Sequence, residues 1–163
     1  MYKRQYLDKI KKLKETIPGI SITTDIIVAF PGETEEQFLD TIDLVKTVEY
    51  DGAFTFIYSP REGTPAAKYE NNLTEQQKHE RLNALNEVVN FYALKGHERF
   101  ENEIVEVLVE GPSKNNPEVL TGYTRHNMLV NFPNSQLYPC QIGDLVNVRI
   151  VKAFSWHLLG EMV

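Results

Sequence analysis

Two apolar runs, each set between segments of helical periodicity, constrain the first hundred residues more than any other feature. Residues 20–30 end in DIIVAF and are closed by Pro31-Gly32, a pattern that predicts a strand buried on both sides. Residues 53–58, AFTFIY, predict a second strand, followed by the loop SPREGTP. Tyr6, Leu7, Ile10 and Leu13 mark a helix over residues 4–16, stopped at Pro18-Gly19. Phe38, Ile42 and Val45 mark a second helix ending near Val48, and Leu82, Leu85, Val89 and Tyr92 a longer third ending near Phe100. The second and third open with Thr-x-x-Gln (Thr34 with Gln37, Thr74 with Gln77), the capping box that satisfies free N–H groups at a helix start. Strands that alternate with helices lie parallel, joined by right-handed crossovers. Two such strands do not make a self-sufficient sheet, so this half reads as a piece of a larger barrel or open sheet.

Beyond about residue 100 the texture changes. Ile104, Val105, Val107 and Val109 fall in a strand pattern ended by Gly111-Pro112. LTGYTR, MLVNF and LVNVRIV follow at short intervals, and a last strand is expected from about His157 to Val163. Five short strands broken by Gly, Pro and Asn predict a small antiparallel barrel. The expected division is therefore residues 1–100 and residues 101–163, near Glu101.

Charge and cysteine content narrow the chemistry. The 17 Lys and Arg against 23 Asp and Glu give a net charge of −6, which by itself argues against a basic nucleic-acid footprint. Cys140 is the one cysteine, so neither an intrachain disulfide nor a cysteine-held cluster or zinc site can be built, and a cytoplasmic setting is expected. The start is charged and amphipathic rather than a signal peptide, and no apolar run is long enough to span a membrane.

Two loops are candidate ligand sites. Asp25–Glu33 joins a strand to a capped helix at the C-terminal edge of a parallel sheet, where α/β folds bind ligands, and Gly32 permits close backbone approach. An ordinary strand-to-helix turn fits the same residues. The acidic run from Glu33 to Glu36 reads as charge complementing the helix dipole. Tyr58–Pro65 places Arg61 on the same edge, suited to a carboxylate or phosphate, or simply solvated in a Pro-rich turn. His79, His97, His126 and His157 show no metal-ligand spacing. In the last sixty residues Lys114, Tyr123, Arg125, His126, Asn127, Phe132, Lys152 and Trp156 form the polar and aromatic set that small barrels use to stack bases beside cations. Against this, Lys114, Arg125, Arg149 and Lys152 face seven acidic residues there, and barrel core and turns explain the aromatics equally well.

These residues resemble one family. TTDIIVAFPGETEEQF is similar to the T-D-x-I-V-G-F-P-G-E-T-E-E-x-F segment of radical-SAM methylthiotransferases, and FTFIYSPREGTPAA to their F-x-Y-S-x-R-x-G-T-P-A segment. VEVLVEGPSK and LTGYTRHNMLVNF resemble the start of their C-terminal TRAM domain, with the spacing of the branch that modifies tRNA more than of the branch that modifies a ribosomal protein. Ala29 departs from the family, standing where it usually has Gly.

The resemblance covers essentially the whole chain. It implies the C-terminal piece of a radical-SAM partial (β/α) barrel, then a five-stranded OB-like TRAM barrel. The parent enzyme would use S-adenosylmethionine and two 4Fe-4S clusters to add a methylthio group to a modified adenine next to the anticodon. Asp25, Ile27, Phe30, Gly32, Tyr58 and Arg61 would flank S-adenosylmethionine, with Ile27 and Tyr58 near the adenine and Arg61 near the polar end. The TRAM residues named above would meet the tRNA anticodon stem-loop. The C-x-x-x-C-x-x-C cluster motif is absent. The chain is therefore expected to be a piece of a longer enzyme, inactive and with neither S-adenosylmethionine nor clusters bound by itself, its open sheet edge inviting self-association. A stand-alone RNA-binding module and a fragment of a ribosomal-protein methylthiotransferase are the other readings of the same residues.

Overall fold

A computed structural model describes residues 3–114, 116–134 and 139–163. The chain divides into two compact units, Met1–Tyr92 and Ala93–Val163, and the TRAM-like β-segments all fall in the second.

The first unit runs α1 (Lys3–Thr16), β1 (Thr23–Val28), α2 (Glu35–Val48), β2 (Gly52–Ile57), a short 3-10 turn (Pro65–Lys68) and then α3 (Glu75–Glu98), which extends past the unit boundary. β1 and β2 pair parallel, Asp25 opposite Phe54 and Ile27 opposite Phe56. Both expected capping boxes form. The Thr34 and Thr74 hydroxyls accept the Gln37 and Gln77 amides, and each Gln side chain accepts the N–H of its Thr. Phe38, Ile42, Val45 and Val48 of α2 bury one stripe against Ile22, Val28 and Ala53, and Leu85 and Val89 of α3 join the same core. The buried Asp51 carboxylate accepts the Ile22 amide at 2.8 Å, closing the strand start.

One expectation fails here. β1 is not buried on both sides: burial alternates along it, and Ile27 is 57% exposed. Phe54 and Phe56 of β2 are 62% and 51% exposed on the same sheet face. The buried residues of α2 and α3 cluster with Ile22, Val28 and Ala53 of the other face. An apolar run therefore marked a strand correctly but did not reveal that one of its faces has no cover among the described residues.

The second unit is a closed barrel in the order β3-β4-β5-β7-β6, built from β3 (Ile104–Pro112), β4 (Val119–Thr124), β5 (Leu129–Pro133), β6 (Leu145–Ala153) and β7 (Leu158–Met162). It is mixed rather than antiparallel, because β5 and β7 pair parallel through Val130 with Leu158 and Asn131 with Leu159. The reason is arithmetic. Neighbours around a ring must alternate in direction to be antiparallel throughout, and an odd number of strands forces one parallel seam. Val107, Val109, Leu120, Val130, Phe132, Val148, Ile150 and Leu158 alternate inward and fill the barrel, as small barrels require. Two strand glycines let it close. A Cβ on Gly122 would sit 2.2 Å from the Leu108 carbonyl oxygen, and one on Gly160 2.3 Å from Val148 Cγ1.

Candidate functional site

The uncovered face of β1 and β2 leads to an open pocket of about 590 Å³ at their C-terminal ends. Asp25 and Ile27 enter it from β1; Phe56 and Ile57 from β2; and Tyr58, Ser59, Arg61, Thr64 and Ala66 from the segment after β2. The strands place these side chains by alternation, since Ile27 and Phe56 are register partners on one face. The walls are mainly apolar, with a carboxylate and a guanidinium among the lining groups. Such a pocket suits a ligand with a flat apolar part and a polar, charged end. The Tyr58 hydroxyl is buried and has no hydrogen-bond partner among the described residues, so it remains a polar atom that a ligand could satisfy.

Of the six residues expected around S-adenosylmethionine, Asp25, Ile27, Tyr58 and Arg61 line this pocket together. Phe30 does not line it, but its ring meets Tyr58 edge-on at 4.8 Å. Gly32 is exposed in the turn at φ 82 and shapes the backbone rather than the pocket wall. Phe56 escaped the sequence reading, although pairing AFTFIY against DIIVAF in register would have found it.

The turn that follows β1 is held from outside itself. Ala29 adopts φ 59, the left-handed region that costs a non-glycine residue about 1–2 kcal/mol. Its amide donates to Glu33 Oε2 at 2.9 Å, and its carbonyl accepts from Asn71 Nδ2 at 2.9 Å. Arg81 of α3 donates to the same Glu33 oxygen at 2.7 Å, to the Glu33 carbonyl at 3.0 Å and to Glu35 at 3.1 Å. Its guanidinium also lies 5.3 Å from the Phe38 ring centre. Glu33 is thus more than charge at a helix start: its side chain turns back into a largely buried ion pair. Arg81 carried no sequence signal, because only the tertiary fold brings it to Glu33.

On the barrel the eight expected RNA-contact residues separate. Phe132 is wholly buried in the core and offers no ring face to a base, which removes it from the set. Asn127 takes φ 58 in the β4–β5 turn, and its amide donates to the Thr124 carbonyl. Asn tolerates that conformation, so the turn itself explains this residue. Tyr123 is half-buried on the barrel exterior, register partner to Leu108 and Leu129. Arg125 is 80% exposed and pairs with Glu106 at 2.7 Å, while the His126 ring lies 5.1 Å from Phe100. Lys114 is exposed in the β3–β4 connection. Lys152 and Trp156 belong to a second group around the β6–β7 turn. The Lys152 ammonium sits 5.1 Å from the Phe154 ring centre, and the exposed Trp156 is two residues further along. Phe154 stacks on His157 at 4.6 Å and 12°. Neither was expected from sequence to meet RNA, though both lie within five residues of Lys152 and beside Trp156. Behind them the buried His97 Nδ1 is 2.6 Å from the Phe154 carbonyl oxygen and donates to it.

Cys140 is in no disulfide, its Sγ lies 3.2 Å from Met162 Sδ, and burial, then the Asp144 charge, push its pKa up, which keeps the thiol from being a ready nucleophile. With one cysteine, the residues present do not fit an iron–sulfur cluster. No helix among the described residues is long and apolar enough to cross a membrane.

Comparison with known proteins joins the two sites. Residues 98–163 match the TRAM domain family. The chain is 57% identical over 161 residues to a tRNA-2-methylthio-N(6)-dimethylallyladenosine synthase from Anoxybacillus flavithermus. It is 56% identical over 163 residues to the protein of that name from Bacillus cytotoxicus, and 55% over 161 to that from Bacillus licheniformis. In each case 99% of this chain aligns. The chain spans about 30% of the length of these relatives. Along its whole length, then, this chain resembles the C-terminal part of the tRNA-2-methylthio-N(6)-dimethylallyladenosine synthases, and it ends in a TRAM domain.

Proposed function

We propose that this chain is the C-terminal part of a radical-SAM methylthiotransferase acting on a modified adenine beside the tRNA anticodon in the cytoplasm. The observation that carries the proposal is 57% identity over 161 residues, spanning both units rather than the TRAM domain alone. Residues 1–100 are taken as the last part of the radical-SAM barrel and residues 101–163 as an RNA-binding barrel. The two 4Fe-4S clusters of the whole enzyme would be held by cysteines that this chain, with Cys140 alone, does not supply.

The pocket on β1 and β2 fits S-adenosylmethionine by its donor set. Ile27 and Phe56 would give the adenine an apolar wall. Tyr58, whose hydroxyl has no partner among the described residues, would stand beside the adenine. Arg61 holds the methionine carboxylate, and Asp25 receives the ammonium or ribose hydroxyls. When bound, S-adenosylmethionine supplies the methyl group and, with a reduced cluster, the hydrogen abstraction. This chain binds and orients it and excludes solvent from it. The barrel contributes affinity for the anticodon stem-loop through Lys152, Phe154 and Trp156 on one turn and Tyr123 and Arg125 on another, sharing that affinity with the rest of the enzyme.

The direct test is nucleoside mass spectrometry of tRNA treated with the full-length enzyme that contains this chain. A methylthio mark on the modified adenine is expected, lost on Arg61→Ala. Unmodified tRNA with a methylthiolated ribosomal protein would move the chain to the other branch of the family.

A further inference from the structure

We propose that Asn71, Glu33 and Arg81 position the β1–α2 turn, forming a lock that sets ligand affinity in the Asp25–Arg61 pocket without touching the ligand. The proposal rests on the S-adenosylmethionine reading of that pocket.

Ala29 stands at φ 59 with its side chain fully buried, and nothing in its own side chain favours that conformation. Side chains from elsewhere hold both of its backbone polar groups. Glu33 Oε2 accepts its amide at 2.9 Å, and Asn71 Nδ2 donates to its carbonyl at 2.9 Å. The two clamps are themselves fixed. Asn71 Oδ1 accepts the Leu73 amide at 3.1 Å, which orients the Asn71 side-chain amide. Arg81 meets Glu33 Oε2 at 2.7 Å, with the two side chains 10% and 11% exposed. A backbone conformation this over-determined persists only because its surroundings impose it.

The pocket lies next to the locked residue in both chain directions. Two residues before Ala29, Ile27 enters the wall; one residue after it, Phe30 meets the Tyr58 ring at 4.8 Å. If Ala29 relaxed to negative φ, the chain would leave β1 in another direction. Phe30 would then leave Tyr58, whose buried hydroxyl has no protein partner to keep it in place. The lock therefore sets the shape of the wall that receives the ligand.

A double-mutant cycle tests this, because glycine takes positive φ without strain and makes the lock unnecessary. Binding of S-adenosylmethionine to the full-length enzyme that contains this chain is followed by isothermal titration calorimetry. Asn71→Ala should weaken binding about tenfold with Ala29 present, and less than about threefold in the Ala29→Gly background. Glu33→Gln, which keeps an oxygen for the Ala29 amide but breaks the ion pair, should show the same dependence on background. Equal losses in the two backgrounds, or none in either, would overturn the lock. Full-length enzyme whose affinity for S-adenosylmethionine is unchanged by Arg61→Ala would sink the ligand reading instead. The lock is then read in hydrogen exchange of the Ala29 amide, where non-additivity supports it and additivity rejects it.

Discussion

At the residue scale, the backbone of a few positions explains what their side chains cannot. Ala29 sits at φ 59 where the resembling family usually has Gly, which gives a conformational reason for that preference. Gly122 is demanded by space: any Cβ would meet the Leu108 backbone at 2.2 Å. Gly122→Ala should destabilise the barrel by about 3 kcal/mol in equilibrium urea unfolding, and a loss under about 1 kcal/mol would contradict the close approach. His157 gives a pH dependence with a definite sign. Burial, and then His97, push its imidazole below the ordinary value of 6.5. As the pH falls the unfolded chain protonates first, so His157 contributes stability above about pH 6.5 that is lost progressively below it. His157→Gln should flatten the fall of Tm between about pH 7 and pH 5, and an unchanged slope would place the titration elsewhere.

At the element scale, local chemistry was readable and tertiary closure was not. The capping boxes at Thr34 and Thr74 formed as written, because Thr-x-x-Gln satisfies a helix start with no help from distant residues. Thr34→Ala should therefore cost about 1 kcal/mol in thermal unfolding of the first unit. No change would mean that packing of Phe38 and Ile42 alone sets the start of α2. The run DIIVAF announced a strand but not its bare face, since β-branched residues fit either environment. Five barrel strands were legible from spacing, whereas the parallel β5–β7 seam follows from strand order, which no local pattern encodes. The pocket was half visible for the same reason. Asp25, Ile27, Tyr58 and Arg61 stood in two motifs, while Arg81 and Asn71 reach the turn only through the fold. Phe132 was misjudged because an aromatic in a strand reads alike whether it faces a base or the core.

At the scale of the whole molecule, a sheet of two parallel strands with Ile27, Phe54 and Phe56 on an uncovered face should not stay alone in water. Light scattering is expected to show self-association of the 163-residue chain that rises with concentration, and a monomer throughout would mean the face is tolerated. With Lys114, Arg125, Arg149 and Lys152 against seven acidic residues from residue 101 on, the proposed affinity of the barrel for RNA is expected to be modest and local rather than driven by overall charge. The proposed binding of tRNA by the TRAM barrel can be measured by fluorescence anisotropy of the chain with a labelled anticodon stem-loop, at about 50 and 200 mM salt. Salt-sensitive binding is expected, weakened by both Trp156→Ala and Arg125→Ala. No binding at about 100 μM protein, where a module with a micromolar Kd would be largely occupied, would contradict it.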